Sequence, residues 1–166
     1  MRNWFLDTGF ILKDGTLINV EPVRALVDAT SSEISSCHKL KSTHVTCEKT
    51  QRQNVRLAAE VFSNTTATAL KRYLPGSNKI LARDVGEFIE LVNNWFDIMN
   101  SYTPSAVVPT KRPFGLNMIQ QNATLEDMKA TISHMTCCGK KSLQTFQRGI
   151  VMLIHCKVCS STSRKP

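Results

Sequence analysis

"LARDVGEFIELVNNWFDIMNS", residues 81–101, carries the strongest helical signal in the chain. Leu81, Val85, Phe88, Val92, Trp95 and Met99 recur every three or four residues, with Ile89 and Phe96 beside them, the spacing of one buried helix face. The same stretch crowds Asn93, Asn94, Asp97 and Asn100 at one end. On a continuous helix Asp97 points away from the Val92 stripe and groups with Asn93 and Asn100, at helical neighbour spacings. A solvated face accounts for such a cluster, because most exposed carboxylates have no further role. Recognition of a ligand accounts for it as well.

Upstream, "NVRLAAEVFSNTTATALKRYL" (54–74) keeps helical spacing through Val55, Ala58, Phe62, Ala69 and Tyr73, with Leu57 and Val61 widening the stripe. Its Ser-Asn-Thr-Thr run is a weak point where a kink is expected, and "PGSN" at 75–78 ends it. The two helices should pack together and bury Phe62, Val85, Phe88, Val92 and Trp95. Nearer the N-terminus, "TGFILKDGTLINV" (8–20) sets two short apolar runs around Asp14-Gly15, a dipeptide suited to a type I′ hairpin turn. "EPVRALVDAT" (21–30) reads as a helix with Pro22 at its start and Val23, Leu26 and Val27 on one side. A polar linker (31–36) and an irregular basic segment (37–53) follow. Beyond residue 101, "SYTPSAVVPTKRP" is a Pro-containing loop, "TLEDMKATISHM" (124–135) a short helix with Thr124 as N-cap, and "SLQTFQRGIVMLIHC" (142–156) a last apolar helix or strand. The tail 160–166 should fray. The fold class expected is mainly α, with a short N-terminal β-hairpin.

Composition narrows the function classes. The net charge of +8 favours a polyanionic neighbour such as nucleic acid or nucleotide, although the basic residues are scattered and form no dense arm. No run of about 18 apolar residues is present, so no membrane partner is expected, and the N-terminus has no secretory pattern. The six cysteines are therefore expected as thiols, and the sequons at Asn64 and Asn122 as chance matches. "HCKVC" (155–159) has Cys-x-x-Cys spacing and Cys137-Cys138 could complete a zinc set, but adjacent cysteines rarely both chelate well; no metal ligand is assigned. No GxxxxGK[ST] sequence occurs, so any nucleotide site is not a P-loop.

Several separated pieces together resemble one family. "MRN", "KLKSTHV", "NVRLAAEVFSNTTATAL", "FIELVNNWFDIMNS" and "TFQRGIVMLI" occur in the order found in P-element-type DNA transposases and their THAP-domain relatives. "WFDIMNS" is the most specific of them and "VRLAAEVFS" the next. In that family a DDE-type, RNase H-like catalytic domain is interrupted by a mainly helical insertion that binds GTP. The resemblance implies that residues 1–36 are a remnant of the catalytic domain, 37–159 most of the insertion, and 160–166 a disordered tail. The family's catalytic carboxylates would precede Arg2-Asn3 or follow the insertion, and the last acidic residue here is Asp127. The expectation is a piece of an enzyme, with no catalytic residue of its own; two-metal chemistry, with Mg²⁺ ions about 4 Å apart, would belong to the full-length protein.

The resemblance also implies site residues. Asp97 and Phe96 match a Phe-Asp pair that contacts the nucleotide, and a carboxylate suits the paired donors of guanine, N1–H and the exocyclic amine. Lys39 falls on a phosphate-contacting lysine, and Asn54 and Val55 on nucleotide-contacting positions at a helix start, where backbone N–H groups favour anions. GTP, DNA within the full transposase, a homo-oligomer and a nuclear setting follow as expectations. The alternative is a domesticated transposase relic that holds DNA or a protein through its basic surface without nucleotide.

Overall fold

The computed structural model describes residues 4–30, 37, 39–47, 51, 54–73, 79–101, 103–137 and 145–162. The expected linker at 31–36, the terminator at 75–78, Cys138 and the last residues of the tail lie outside that set. The chain divides into two compact units, 1–93 and 94–166.

The first unit opens with a short helix, α1 (Trp4–Asp7), and a hairpin of β1 (Phe10–Ile11) and β2 (Leu17–Ile18), paired antiparallel with Phe10 opposite Ile18. The turn is not the expected type I′. Gly15 N–H donates to the Leu12 carbonyl and Leu12 N–H to Thr16, so three residues, Lys13–Gly15, close the loop, with Gly15 at φ +89°. Asp-Gly is used as the end of a type I turn followed by a left-handed residue, a bulged geometry that glycine enters without steric cost. Asp14 braces it by accepting from Thr16 N–H at 3.0 Å, a bond that also lowers the Asp14 pKa.

Helix α2 (Glu21–Thr30) starts where Asn19 Oδ1 accepts from Glu21 N–H, and it buries Val23 and Leu26 as expected. The basic segment contains a helix that periodicity did not predict, α3 (Ser42–Thr46). The helix expected over 54–74 is broken into α4 (Val55–Val61) and α5 (Asn64–Tyr73). Ser63 makes the break: its carbonyl accepts from Ala67 N–H and its hydroxyl from Thr66 N–H, so the Ser-Asn-Thr-Thr run starts a new helix instead of kinking the old one.

Helix α6 (Lys79–Asn100) matches the decisive stretch. Ala82, Val85, Phe88 and Ile89 are buried in the first unit, where the Phe88 ring meets Phe10 and Phe62 at centroid distances of 6.3 and 6.5 Å. Gly86 permits the approach of α5: a Cβ there would stand 2.9 Å from Lys71 Cγ and 3.0 Å from the Ala67 carbonyl. Val92 and Trp95, expected in the core, are only partly buried.

In the second unit, the loop after α6 holds a 3₁₀ turn (Pro109–Lys111) and leads into α7 (Met118–His134). That helix begins six residues before Thr124, which lies inside it and bonds the Gln120 carbonyl rather than capping. A two-residue strand, β3 (Thr136–Cys137), follows, and the last apolar stretch is a helix, α8 (Thr145–Thr162). Two buried glutamines organise this unit. Gln121 accepts from Gly115 N–H and donates to the Arg112 and Pro113 carbonyls, clamping the loop to α7. Gln147 donates to the Ile132 and Met135 carbonyls, satisfying the C-terminal end of α7 from α8.

Candidate functional site

Lys39, Asn54 and Val55 fall in the first unit. Lys39 is exposed on a turn anchored on both sides by buried Cys37 and Leu40. Burial pushes the Cys37 thiol pKa up, and its Sγ faces the Thr65 carbonyl at 3.7 Å, so it acts as a packed, protonated residue. Asn54 caps α4: its Oδ1 accepts from Arg56 N–H at 3.0 Å and Leu57 N–H at 3.3 Å. Two of the terminal N–H groups that would attract an anion are therefore met within the fold. Val55 projects outward, 72% exposed, a large apolar side chain facing solvent.

A histidine that sequence reasoning left unassigned ties these pieces together. His44 is buried; Lys41 N–H donates to its Nδ1 at 3.0 Å, which places the proton of the neutral imidazole on Nε2, facing Glu60 Oε2 at 2.6 Å. Arg56 Nε reaches the other Glu60 oxygen at 3.1 Å. The His44 hydrogen bond, then that of Arg56, holds the Glu60 carboxyl below the usual carboxylate range. The loop that carries Lys39 and Lys41 is thus fastened to the helix that Asn54 caps. A cavity of about 50 Å³ lies here, lined by His44, Cys47, Asn54, Leu57 and Phe62 among others. Its volume is room for a few water molecules at most, whereas drug-sized ligands need pockets of about 300 Å³ or more.

Phe96 and Asp97 fall in the second unit. Phe96 is 46% exposed, more than an aromatic ring in a core would be. The Asp97 side chain is 18% exposed, and Lys111 Nζ stands 4.0 Å from its Oδ2, a loose ion pair at the limit of contact. The neighbouring polar cluster is partly explained by the helix itself, since Asn100 Nδ2 donates to the Phe96 carbonyl at 2.8 Å. Close by in sequence, Trp95 Nε1 and Thr110 Oγ1 are buried and have no hydrogen-bond partner. An unmet buried polar group costs about 1–3 kcal/mol, so both retain unused bonding capacity. Lys111 went unassigned from sequence; its signal was the Lys111-Arg112 pair in an otherwise uncharged loop.

Among the described residues no group of three or more His, Cys, Asp or Glu side chains could hold a metal ion, and no helix is long and apolar enough to cross a membrane.

These features meet a consistent set of relatives. The sequence profile of the TNP-like, GTP-binding insertion domain matches residues 1–113. Over 154 residues the chain is 30% identical to the transposable element P transposase of Drosophila melanogaster, an alignment covering 92% of this chain and 20% of that protein. The chain thus spans about a fifth of the length of that transposase. Its fold matches a chain of the Drosophila P element transposase strand transfer complex with a TM-score of 0.83 at 24% identity, over 96% of this chain and 36% of that one. Mainly helical, with the hairpin and the helix-borne polar ridge in place, the chain belongs to the GTP-binding insertion-domain family of P-element-type transposases.

Proposed function

We propose that this chain binds GTP as the insertion module of a larger P-element-type transposase, with residues 37–159 carrying the module and 1–36 the end of a catalytic half. Family membership is the observation that carries this reading. In the second unit, Asp97 is the proposed reader of guanine. Its carboxylate lies at the polar end of α6 and retains some exposure. One carboxylate can accept from both N1–H and the exocyclic amine of guanine, and adenine offers no such pair of donors. Phe96, exposed beside it, supplies an apolar face for the base.

In the first unit, Lys39 is the proposed phosphate contact, and Asn54 and Val55 the proposed contributors at the start of α4. Because Asn54 Oδ1 is engaged in capping, its contribution is through Nδ2 or the backbone. The relatives' names, a transposase and a strand transfer complex, support DNA as partner of the whole protein and transposition as its activity; a nuclear compartment is proposed along with them. Isothermal titration of the folded chain with GTP and ATP tests the nucleotide reading. Saturable binding of GTP with weak or absent binding of ATP is expected; equal affinity for the two would overturn guanine recognition.

A further inference from the structure

The exposed side of α8 carries a chemistry-bearing pair that nucleotide binding leaves unused. His155 and Cys159 are four positions apart, and Cys159 Sγ lies 3.5 Å from His155 Nε2. Both residues are exposed. Four-residue spacing on a helix brings two side-chain ends over one point, the arrangement by which paired ligands of a single helix grip a metal ion. The separation itself discriminates. Tetrahedral zinc takes thiolate sulfur at about 2.3 Å and imidazole nitrogen at about 2.0–2.1 Å, which sets the two donor atoms roughly 3.6 Å apart. The pair already stands at that spacing.

We propose that His155 and Cys159 form a two-ligand site for zinc or a zinc-like divalent cation on the surface of α8, with water in the remaining coordination positions. The imidazole binds through the Nε2 lone pair with its proton on Nδ1, and the thiol releases its proton to solvent as the sulfur–metal bond forms. The ligand pattern is His-x-x-x-Cys, not the Cys-x-x-Cys that the sequence displays. Cys156 follows His155 directly and is turned about 100° around the helix from it, and no set of three or more ligating side chains exists among the described residues.

Cobalt(II) titrated into the full chain under reducing conditions tests this, with thiolate-to-metal charge transfer in the near ultraviolet as the readout. The expected result is a saturable band with proton release. It should be abolished in Cys159→Ser, retained in Cys156→Ser and shifted to at least roughly tenfold weaker affinity in His155→Gln, since loss of even an outer-shell partner costs about 10–100-fold. All three positions are exposed, and far-ultraviolet circular dichroism verifies that each variant remains helical. Absence of the band in the folded chain, its survival in Cys159→Ser, its loss in Cys156→Ser, or unchanged affinity in His155→Gln would each overturn the proposal.

Discussion

The structure treats the polar groups around His44 and those of the second unit in opposite ways. In the first unit, His44 uses both ring nitrogens, Glu60 uses both oxygens, and the Asn54 side-chain Oδ1 takes two backbone donors. That corner spends its hydrogen-bonding capacity on holding a loop to a helix. In the second unit, by contrast, Trp95 Nε1 and Thr110 Oγ1 are buried without partners. Saturated polar groups stabilise a fold, whereas unsatisfied ones mark where a fold has given up stability, which is the more informative sign of a ligand. The difference is one that residue type alone does not give: the polar groups of the His44 corner are engaged in holding the fold, whereas those of Trp95 and Thr110 keep unused bonding capacity.

Removing the scaffold should have the largest effect. Phe88 is buried and touches two other rings, so Phe88→Ala should cost about 3–5 kcal/mol in chemical denaturation; an unchanged midpoint would show that α6 buries another face. Asn54→Ala should cost about 1 kcal/mol by uncapping α4. A loss of GTP affinity much larger than the loss of stability in that variant would give Asn54 the proposed nucleotide contact beside its capping role and blur the contrast.

Acid should loosen the same corner. Glu60 has a folded pKa below its ordinary value of 4.5, so the stability it contributes is present above that value and is lost as pH falls through the lowered one. Glu60→Gln should remove this acid-sensitive component, read as a flatter stability profile below about pH 4.5; an identical profile would place the linkage elsewhere. The smallest effect on stability belongs to the other region. Thr110→Val replaces a hydroxyl that has no partner by a methyl group of similar size, so it should be neutral or stabilising by up to about 1 kcal/mol. A loss of several kcal/mol would mean that the hydroxyl is bonded after all.

How much of this was legible beforehand depended on how local the determinant was. The α6 stripe was legible because its periodicity runs over about five turns, and α2 because Pro22 stands near its start with Val23 and Leu26 on one side. The break at Ser63 was visible as a weak point but not as a new helix start, since apolar spacing continues across it. Asp14-Gly15 named the hairpin and missed its turn, because one left-handed glycine serves two loop lengths. Gln121 and Gln147 are polar and buried, so their burial follows from carbonyls elsewhere in the unit rather than from any local pattern. The pairing of Lys111 with Asp97 was invisible for the same reason: it depends on a loop that Gln121 holds in place. Among the residues carried over from the family, Lys39, Val55, Phe96 and Asp97 all keep some access to solvent, which the sequence pattern alone did not establish.

Exchange of the carboxylate for its amide, measured against two purine nucleotides, tests the central reading most directly. Asp97→Asn keeps one oxygen for N1–H and places an amine donor where guanine presents its own exocyclic amine, whereas xanthine presents a carbonyl oxygen there. Calorimetric titration of the parent chain and of Asp97→Asn with GTP and XTP should show GTP weakened by roughly tenfold to a hundredfold, the loss of a charged hydrogen bond worth about 1.5–3 kcal/mol, and XTP strengthened relative to GTP. Unchanged affinities for both nucleotides in a folded Asp97→Asn chain would contradict the account and return Asp97 to ordinary helix surface.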